Sequence, residues 1–331
     1  MAEDVFLNVF SHLNKVNTDL STSILLPNNQ QLQIALEFFY TNFEPCKRKI
    51  AFVDGGNGEL ICAPNFSLQF IRVYGSIFEN GKITKRELLE FYATVVAVKK
   101  ENKIVYETKT FNSDFEINLD FDLNDATLAS SNHAVSPSSV GEALRKFAEL
   151  KMALKICKQL DSCDLLVRDG ELCARISFEQ KFLDELFSFA KSKSIILCGF
   201  SKTTTLLTDT GNSAAAVLSR LNKNGPWYYF APQNNEIKIG FAKLAKKTNY
   251  VFRIDLFNAG SVSQIFGLLL ENSKDPAFLG YPYGLIDADS RAHVSKQECA
   301  MLKLHFATRF GEQFKMHSSA IDAHDVLNLI H

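Results

Sequence analysis

The chain lacks any CxxC pair and any Cys/His pair at metal-ligand spacing, although seven cysteines are scattered at 46, 62, 157, 163, 173, 198 and 299. Their odd number, and the apolar runs around several of them, point to buried free thiols in a reducing compartment and away from a zinc site. No apolar run approaches 18 residues, so no transmembrane helix is expected. The opening MAEDVFLNVF carries acids and no basic stretch, unlike a secretory signal. These absences predict a cytoplasmic protein with no membrane partner. Charge of one sign is also missing: the net charge is -1. A strongly basic nucleic-acid binder is therefore excluded, but a local basic groove offset by acids elsewhere is not. The seven histidines, at 12, 133, 293, 305, 317, 324 and 331, form no HxxxH or HExxH pattern, and no Ser/His/Asp arrangement stands out.

What is present is ordinary globular chemistry. Hydrophobic residues make up 46% and charged residues 22%, with 28 Phe against one Trp, which predicts a Phe-packed core. Helical spacing of Val5, Phe6, Val9, Phe10, Leu13 and Val16 predicts an N-terminal helix, and a second amphipathic helix is expected over about 29–42. Lys49-Ile-Ala-Phe-Val53 reads as a buried strand that stops at Asp54-Gly55-Gly56. Apolar runs at 59–63, 67–79, 90–99 and 103–111 then predict an antiparallel meander. Residues 112–138 are polar, acidic and Ser/Asn-rich, the best candidate for a loop or inserted excursion. A long helix follows, capped near Ser138 or Ser139 and running to about 160. Thereafter short strands and helices mix, with strands near 165–167, 194–198, 226–231, 236–243 and 250–256. The fold class expected is α/β, a mixed sheet core flanked by helices. Three segments are expected: an N-terminal helical segment over 1–45, the main domain over 46–310, and a C-terminal tail or helix over 311–331.

Two places share one design, an apolar strand running into Asp-Gly: Phe52-Val53-Asp54-Gly55-Gly56 and Leu166-Val167-Arg168-Asp169-Gly170. A strand end fixes a carboxylate at the rim of a sheet, and the glycine leaves room for a ligand. The plainer reading is that Asp-Gly makes turns. Glu149 shares a helix face with Ala153, Ile156, Cys157 and Leu160, so its carboxylate points along the apolar side. A metal ion would offset the cost of burying it; so would a neighbouring base such as Arg145 or Lys146. Gly199-Phe-Ser-Lys202-Thr-Thr-Thr205 lacks the spacing of a nucleotide phosphate loop but suits phosphate contacts, or is a solvated loop. Gly280-Tyr281-Pro-Tyr283-Gly-Leu-Ile-Asp287-Ala-Asp289-Ser-Arg291-Ala-His293 sets aromatic, acidic and basic groups together, as a metal and phosphate site would; packing tyrosines and a helix-end acid are the alternative.

In order, AFVDGG (51–56), LRKFAEL (144–150), LLVRDGEL (165–172), ILCGFSKTTT (196–205) and GYPYGLIDADSRA (280–292) resemble the NurA family, over about residues 48 to 300. The resemblance implies an RNase H-like nuclease core. It also implies manganese or magnesium, as two ions, with 5'-to-3' exonuclease action on DNA and endonuclease action on single strands. Asp54, Glu149 and Asp169 match the family's acids. Asp289 falls on the last metal ligand, with Asp287 in reserve. On this basis Asp54 is assigned as the bridging ligand. Lys202, Arg291 and His293 are expected to contact phosphate, and Tyr281 and Tyr283 to stack on single-stranded DNA. The sequence departs from the pattern at Glu171, where Ser is common, and Gly284, where Pro is usual. The family further implies a homodimer, a hexameric HerA-type translocase as partner, a role in DNA end resection, and an archaeal or bacterial source. The competing readings are another RNase H-like nuclease, such as a resolvase or RNA nuclease, and a non-catalytic adaptor of the translocase.

Overall fold

A computed structural model describes residues 2–14, 21–27, 30–129 and 134–318. Val16, residues 130–133 of the excursion and residues 319–331 of the C-terminal segment lie outside the described residues. The elements in chain order are α1 (Ala2–Asn14), β1 (Ser23–Leu25), β2 (Gln31–Gln33), β3 (Phe39–Tyr40), β4 (Ile50–Ala63), β5 (Phe66–Glu79), β6 (Lys82–Lys100), β7 (Lys103–Phe111), β8 (Asp120–Asp122), α2 (Pro137–Cys157), β9 (Leu165–Asp169), α3 (Glu179–Ser192), β10 (Ile196–Ser201), α4 (Ala214–Leu221), β11 (Trp227–Tyr229), β12 (Ile237–Lys243), β13 (Phe252–Phe257), α5 (Val262–Asn272), α6 (Tyr283–Ala292) and α7 (Lys296–Ser318), the last interrupted at Gly311. This is the mixed α/β architecture expected, with sheet flanked by helices. The chain divides into two compact units, each assembled from separate stretches: 1–48, 167–172 and 196–283 form one, and 49–166, 173–195 and 284–331 the other.

The second unit is built on the meander β4-β5-β6-β7-β8, every neighbour antiparallel. Two of its hairpins, β5–β6 and β6–β7, close on two-residue turns in left-handed backbone, Asn80-Gly81 and Glu101-Asn102, the geometry that matches strand twist. One face of β4 and β5 carries α2: a Cβ at Gly75 would meet Ile156 at 2.7 Å. The opposite face carries α6, whose Gly284 lies against the Phe52 ring. Phe52, Ile156, Met152 and Phe147 are fully buried here, the Phe-rich core that composition predicted.

Helix α2 starts two or three residues earlier than sequence suggests. Ser136 is the N-cap, accepting from Ser139 N at 3.1 Å, and Pro137 opens the helix. Proline fits there because the first-turn N–H would be unsatisfied anyway. The 112–138 excursion is partly built into the sheet: β8 pairs with β7, and Phe115, Ile117 and Phe121 are buried.

In the first unit the strand order is β3-β11-β12-β13-β10-β9. The pairs among β3, β11, β12, β13 and β10 are antiparallel, while β9 and its neighbour β10 are joined through α3. The helix expected over 29–42 is replaced by β2, a short 3-10 turn and β3. The cause lies in the alternation Gln31-Leu32-Gln33-Ile34, a period of two that suits strand. Leu32 joins Ile24, Trp227, Tyr229 and Phe241 in a core cluster, against which Ile34 and Phe38 pack. All seven cysteines are free thiols; burial pushes the Cys157 thiol up to about 12, and Cys198 is raised for the same reason. Among the described residues, no helix is long and apolar enough to cross a membrane.

Candidate active site

Strand β4 does not stop at Asp54-Gly55-Gly56; it continues to Ala63. The glycines there provide space, not a turn. A Cβ at Gly55 would sit 2.7 Å from Glu149 Cγ and 2.9 Å from its Oε1, while one at Gly56 would sit 2.2 Å from the carbonyl oxygen of Ala292. Helix α2 therefore lays Glu149 onto Gly55 from one face, and the end of α6 lies on Gly56 from the other. Asp54, two residues after Phe52, faces the α6 side. Its Oδ1 accepts from Gly55 N at 2.7 Å. Two buried carboxylates, Asp54 and Glu149 at 7% and 6% exposure, thus both rest on Gly55.

Arg145, one turn before Glu149 on α2, binds that carboxylate and donates to the Gly55 carbonyl at 3.0 Å. This is the neighbouring base named as the alternative to a metal. It places a guanidinium against the strand that carries Asp54.

Helix α6 presents its two acids on opposite flanks. Gly284, Ala288 and Ala292 form its contact line on the sheet. With 100° per residue, Asp287 and Arg291 fall on one side of that line and Asp289 on the other. Asp287 Oδ2 accepts from Tyr74 OH at 3.0 Å, and Asp287 lies 3.7 Å from Arg291 Nε. Tyr74 sits on β5, directly opposite Asp54 in register. Burial, then the bond to Asp287, holds the Tyr74 phenol above its ordinary pKa. Asp289 is exposed and points away from the β5 side; Arg291 and His293 are exposed.

The first unit carries the other candidates. β9 ends at Asp169, and Gly170 turns in left-handed backbone (φ 94°). Lys202, just past β10, pairs with Asp169 Oδ2 at 3.0 Å. Its ammonium lies 5.5 Å over the Tyr281 ring, a cation–π contact that positions it. Tyr281 itself is 1% exposed and packed by Phe200, Phe252 and Phe278. Its ring therefore supports Lys202 and is not open to stack on a base, contrary to expectation; Tyr283 is exposed.

Residues 169–172 are held by a network that sequence reasoning missed. Arg253, 1% exposed, binds Asp255 at 2.8 Å and Glu171 at 2.6 Å, and Leu172 N donates to Asp255 at 3.0 Å. Burial raises the Asp255 carboxyl, opposed by Arg253. The signal was present: an Arg and an Asp inside the otherwise apolar Phe252-Arg-Ile-Asp-Leu-Phe257. Tyr74 gave no such signal. The two departures from the family pattern are accommodated, Glu171 by Arg253 and Gly284 by the Phe52 ring, from which a Cβ would be 2.0 Å.

The donors are all hard oxygens, which suits magnesium or manganese and not zinc. Among the described residues, no group of three or more His, Cys, Asp or Glu is arranged to hold an ion as it stands. Arg145 engages Glu149, Lys202 engages Asp169 and Tyr74 engages Asp287, so a cation would compete with those partners. The residue types fit a hard cation; its geometry is not set by the side chains alone.

The family model of the NurA domain matches residues 48–294. The chain belongs to the NurA family. The NurA nuclease of Sulfolobus solfataricus is similar in structure, with a TM-score of 0.55 at 12% identity, covering 94% of this chain and 95% of that one. At that identity the likeness concerns the fold, which is RNase H-like. An endonuclease V from Ciona intestinalis aligns with a TM-score of 0.42 at 10% identity, over 77% of this chain and 86% of that one. No curated protein matches this NurA-family chain in sequence.

Proposed function

We propose that this chain is a divalent-metal-dependent nuclease that hydrolyses DNA phosphodiester bonds. The observation that carries the reading is the pair Asp54 and Glu149, buried against one glycine inside the stretch that matches the NurA family. A buried carboxylate is costly unless positive charge compensates it, and a divalent cation is one such charge.

The proposed ligand set is Asp54, Glu149, Asp169 and Asp289, with Asp287 in reserve. Asp54 is the assigned bridging ligand. When bound, magnesium or manganese, as two ions, would supply the charge that makes water nucleophilic and stabilises the leaving oxygen. Arg145 holds the Glu149 carboxylate against β4. Lys202, steadied by Tyr281, offers a cation to a phosphate oxygen; exposed Arg291 and His293 offer further contacts.

From the family we carry over the finer reading: 5'-to-3' exonuclease and single-strand endonuclease action in DNA end resection. The same source supports a cytoplasmic homodimer working with a HerA-type hexameric translocase. The test is digestion of labelled single- and double-stranded DNA with manganese, magnesium or EDTA. Cleavage is expected with metal only, and undiminished cleavage in EDTA would rule out the mechanism. Co-migration of the chain with a purified HerA-type hexamer in size exclusion tests the partner.

A further inference from the structure

Asp169 and Lys202 sit at one rim of the first unit's sheet, and a second cationic feature lies further along that rim. The register pairs Ser201–Arg253, Ala242–Phe252 and Trp227–Lys243 place the ends of β10, β13, β12 and β11 together there. Lys243 ends β12 and is 2% exposed. Its Nζ donates to the carbonyl of Lys223 at 2.8 Å. An ammonium carries three donors, so one neutral carbonyl does not satisfy it, and burying a cation without an anion is unfavourable.

Lys243 lines a cavity of about 670 Å³ together with Arg220, Lys223, Ser213, Ser219 and Asn249. The first turn of α4 forms another part of its wall through Ala215 and Ala216. The N-cap Ser213 makes no side-chain cap bond, and the small alanines let an anion approach the helix amides. Between Thr210 and Val251 the sequence contains a single acid, Glu236. It precedes β12, at the opposite end of that strand from Lys243. Among the described residues that line the cavity there is no carboxylate; cations, hydroxyls and helix amides together are the chemistry of a phosphate site.

We propose that this cavity binds a backbone phosphate of the same DNA strand that is cleaved, at a phosphate apart from the scissile one. The proposal rests on the nuclease reading above. Lys202 follows β10 and Lys243 ends β12, two spacings apart, roughly 10 Å; Lys202 is turned to Asp169 and Lys243 to the Lys223 carbonyl, so a strand laid along the rim would meet them through different phosphates.

The test uses the full chain in EDTA, titrated against fluorescein-labelled single-stranded DNA and followed by anisotropy at several salt concentrations. Wild type is compared with the double variant Arg220→Ala/Lys223→Ala; both side chains are exposed, and an unchanged melting curve confirms folding. The expected result is about tenfold weaker binding near 0.1 M salt and a salt slope shallower by about 1.4, two single-strand phosphate contacts' worth. Equal affinity and slope overturn the proposal. Heat protection of wild type by inorganic phosphate, with DNA binding unchanged in the variant, assigns the cavity to free phosphate and overturns it as well. DNA cleavage by wild type with manganese is measured in parallel. Cleavage without a binding difference removes this site and leaves the nuclease reading; a binding difference without cleavage supports the site and counts against the nuclease reading.

Discussion

Asp54-Gly55 and Asp169-Gly170 are the same two letters after the same kind of apolar run, yet they do different things. At Asp169 the strand ends, Gly170 adopts a backbone that favours glycine, and nothing lies within 4 Å of where its Cβ would be. At Asp54 the strand runs on for nine more residues, and Gly55 and Gly56 are there because α2 and α6 press in from the two faces. One glycine answers a backbone torsion; the others answer a neighbour. The acids differ accordingly. Asp169 is half-open and paired with a lysine that solvent reaches, whereas Asp54 is buried and accepts from the backbone N–H of Gly55. A dipeptide therefore does not identify a structural role; what packs on it does.

The comparison is broken or sharpened by substitutions of graded effect. The largest is expected from Asp54→Asn, which keeps shape and removes charge. DNA cleavage should fall on the order of a thousandfold, the scale of losing one group that stabilises a transition state, with the melting curve little changed. Retained cleavage in a single-turnover assay would remove Asp54 from the chemistry. Gly56→Ala forces a methyl against the backbone carbonyl of Ala292, which cannot swing aside as a side chain could. A loss of about 3 kcal/mol in urea unfolding is expected, at the upper end for overpacking. Arg145→Met leaves the buried Glu149 without its guanidinium and should destabilise by about 3 kcal/mol, the lower end for breaking a buried pair; a neutral result would mean that Glu149 has other compensation enough.

Gly170→Ala meets no neighbour and only the left-handed backbone resists it, so about 1–2 kcal/mol is expected. Equal losses for Gly56→Ala and Gly170→Ala in the same titration would erase the distinction between space and torsion. The smallest effect should come from Tyr74→Phe, which removes one hydrogen bond to Asp287: about 1 kcal/mol, with cleavage retained if Asp289 and not Asp287 is the ligand on α6. A large drop in cleavage would exchange their roles.

Much of this was legible from the residues. The meander of the second unit was, because each run alternates or is continuously apolar and the turns between carry Asn-Gly and Glu-Asn. So was Glu149 on the buried face of α2, since helical spacing alone puts it beside Ala153 and Ile156. Other features were misread for want of partners. Residues 31–40 form two short strands around a 3-10 turn and no α-helix because Leu32 joins the Trp227 and Tyr229 core, with Phe38 and Phe39 packed on it, and Trp227 and Tyr229 lie nearly two hundred residues away in the chain. Tyr281 resembled a stacking platform until Phe200, Phe252 and Phe278 closed over it. The Arg253 network was hidden because ion pairs across strands depend on register, which no local pattern specifies.

Local order, then, was written into the chain: which stretches are strand or helix, which side chains lie inward, and which acids stand next to glycine. Periodicity and backbone preference act over a few residues and need no distant information. Whether a glycine turns the chain or admits a carboxylate, which base meets which acid, and on which flank of α6 each aspartate falls were decided only when the sheet and its helices packed. Those outcomes depend on contacts between segments far apart in sequence, whose meeting is set by the sum of many burials and not by any one of them.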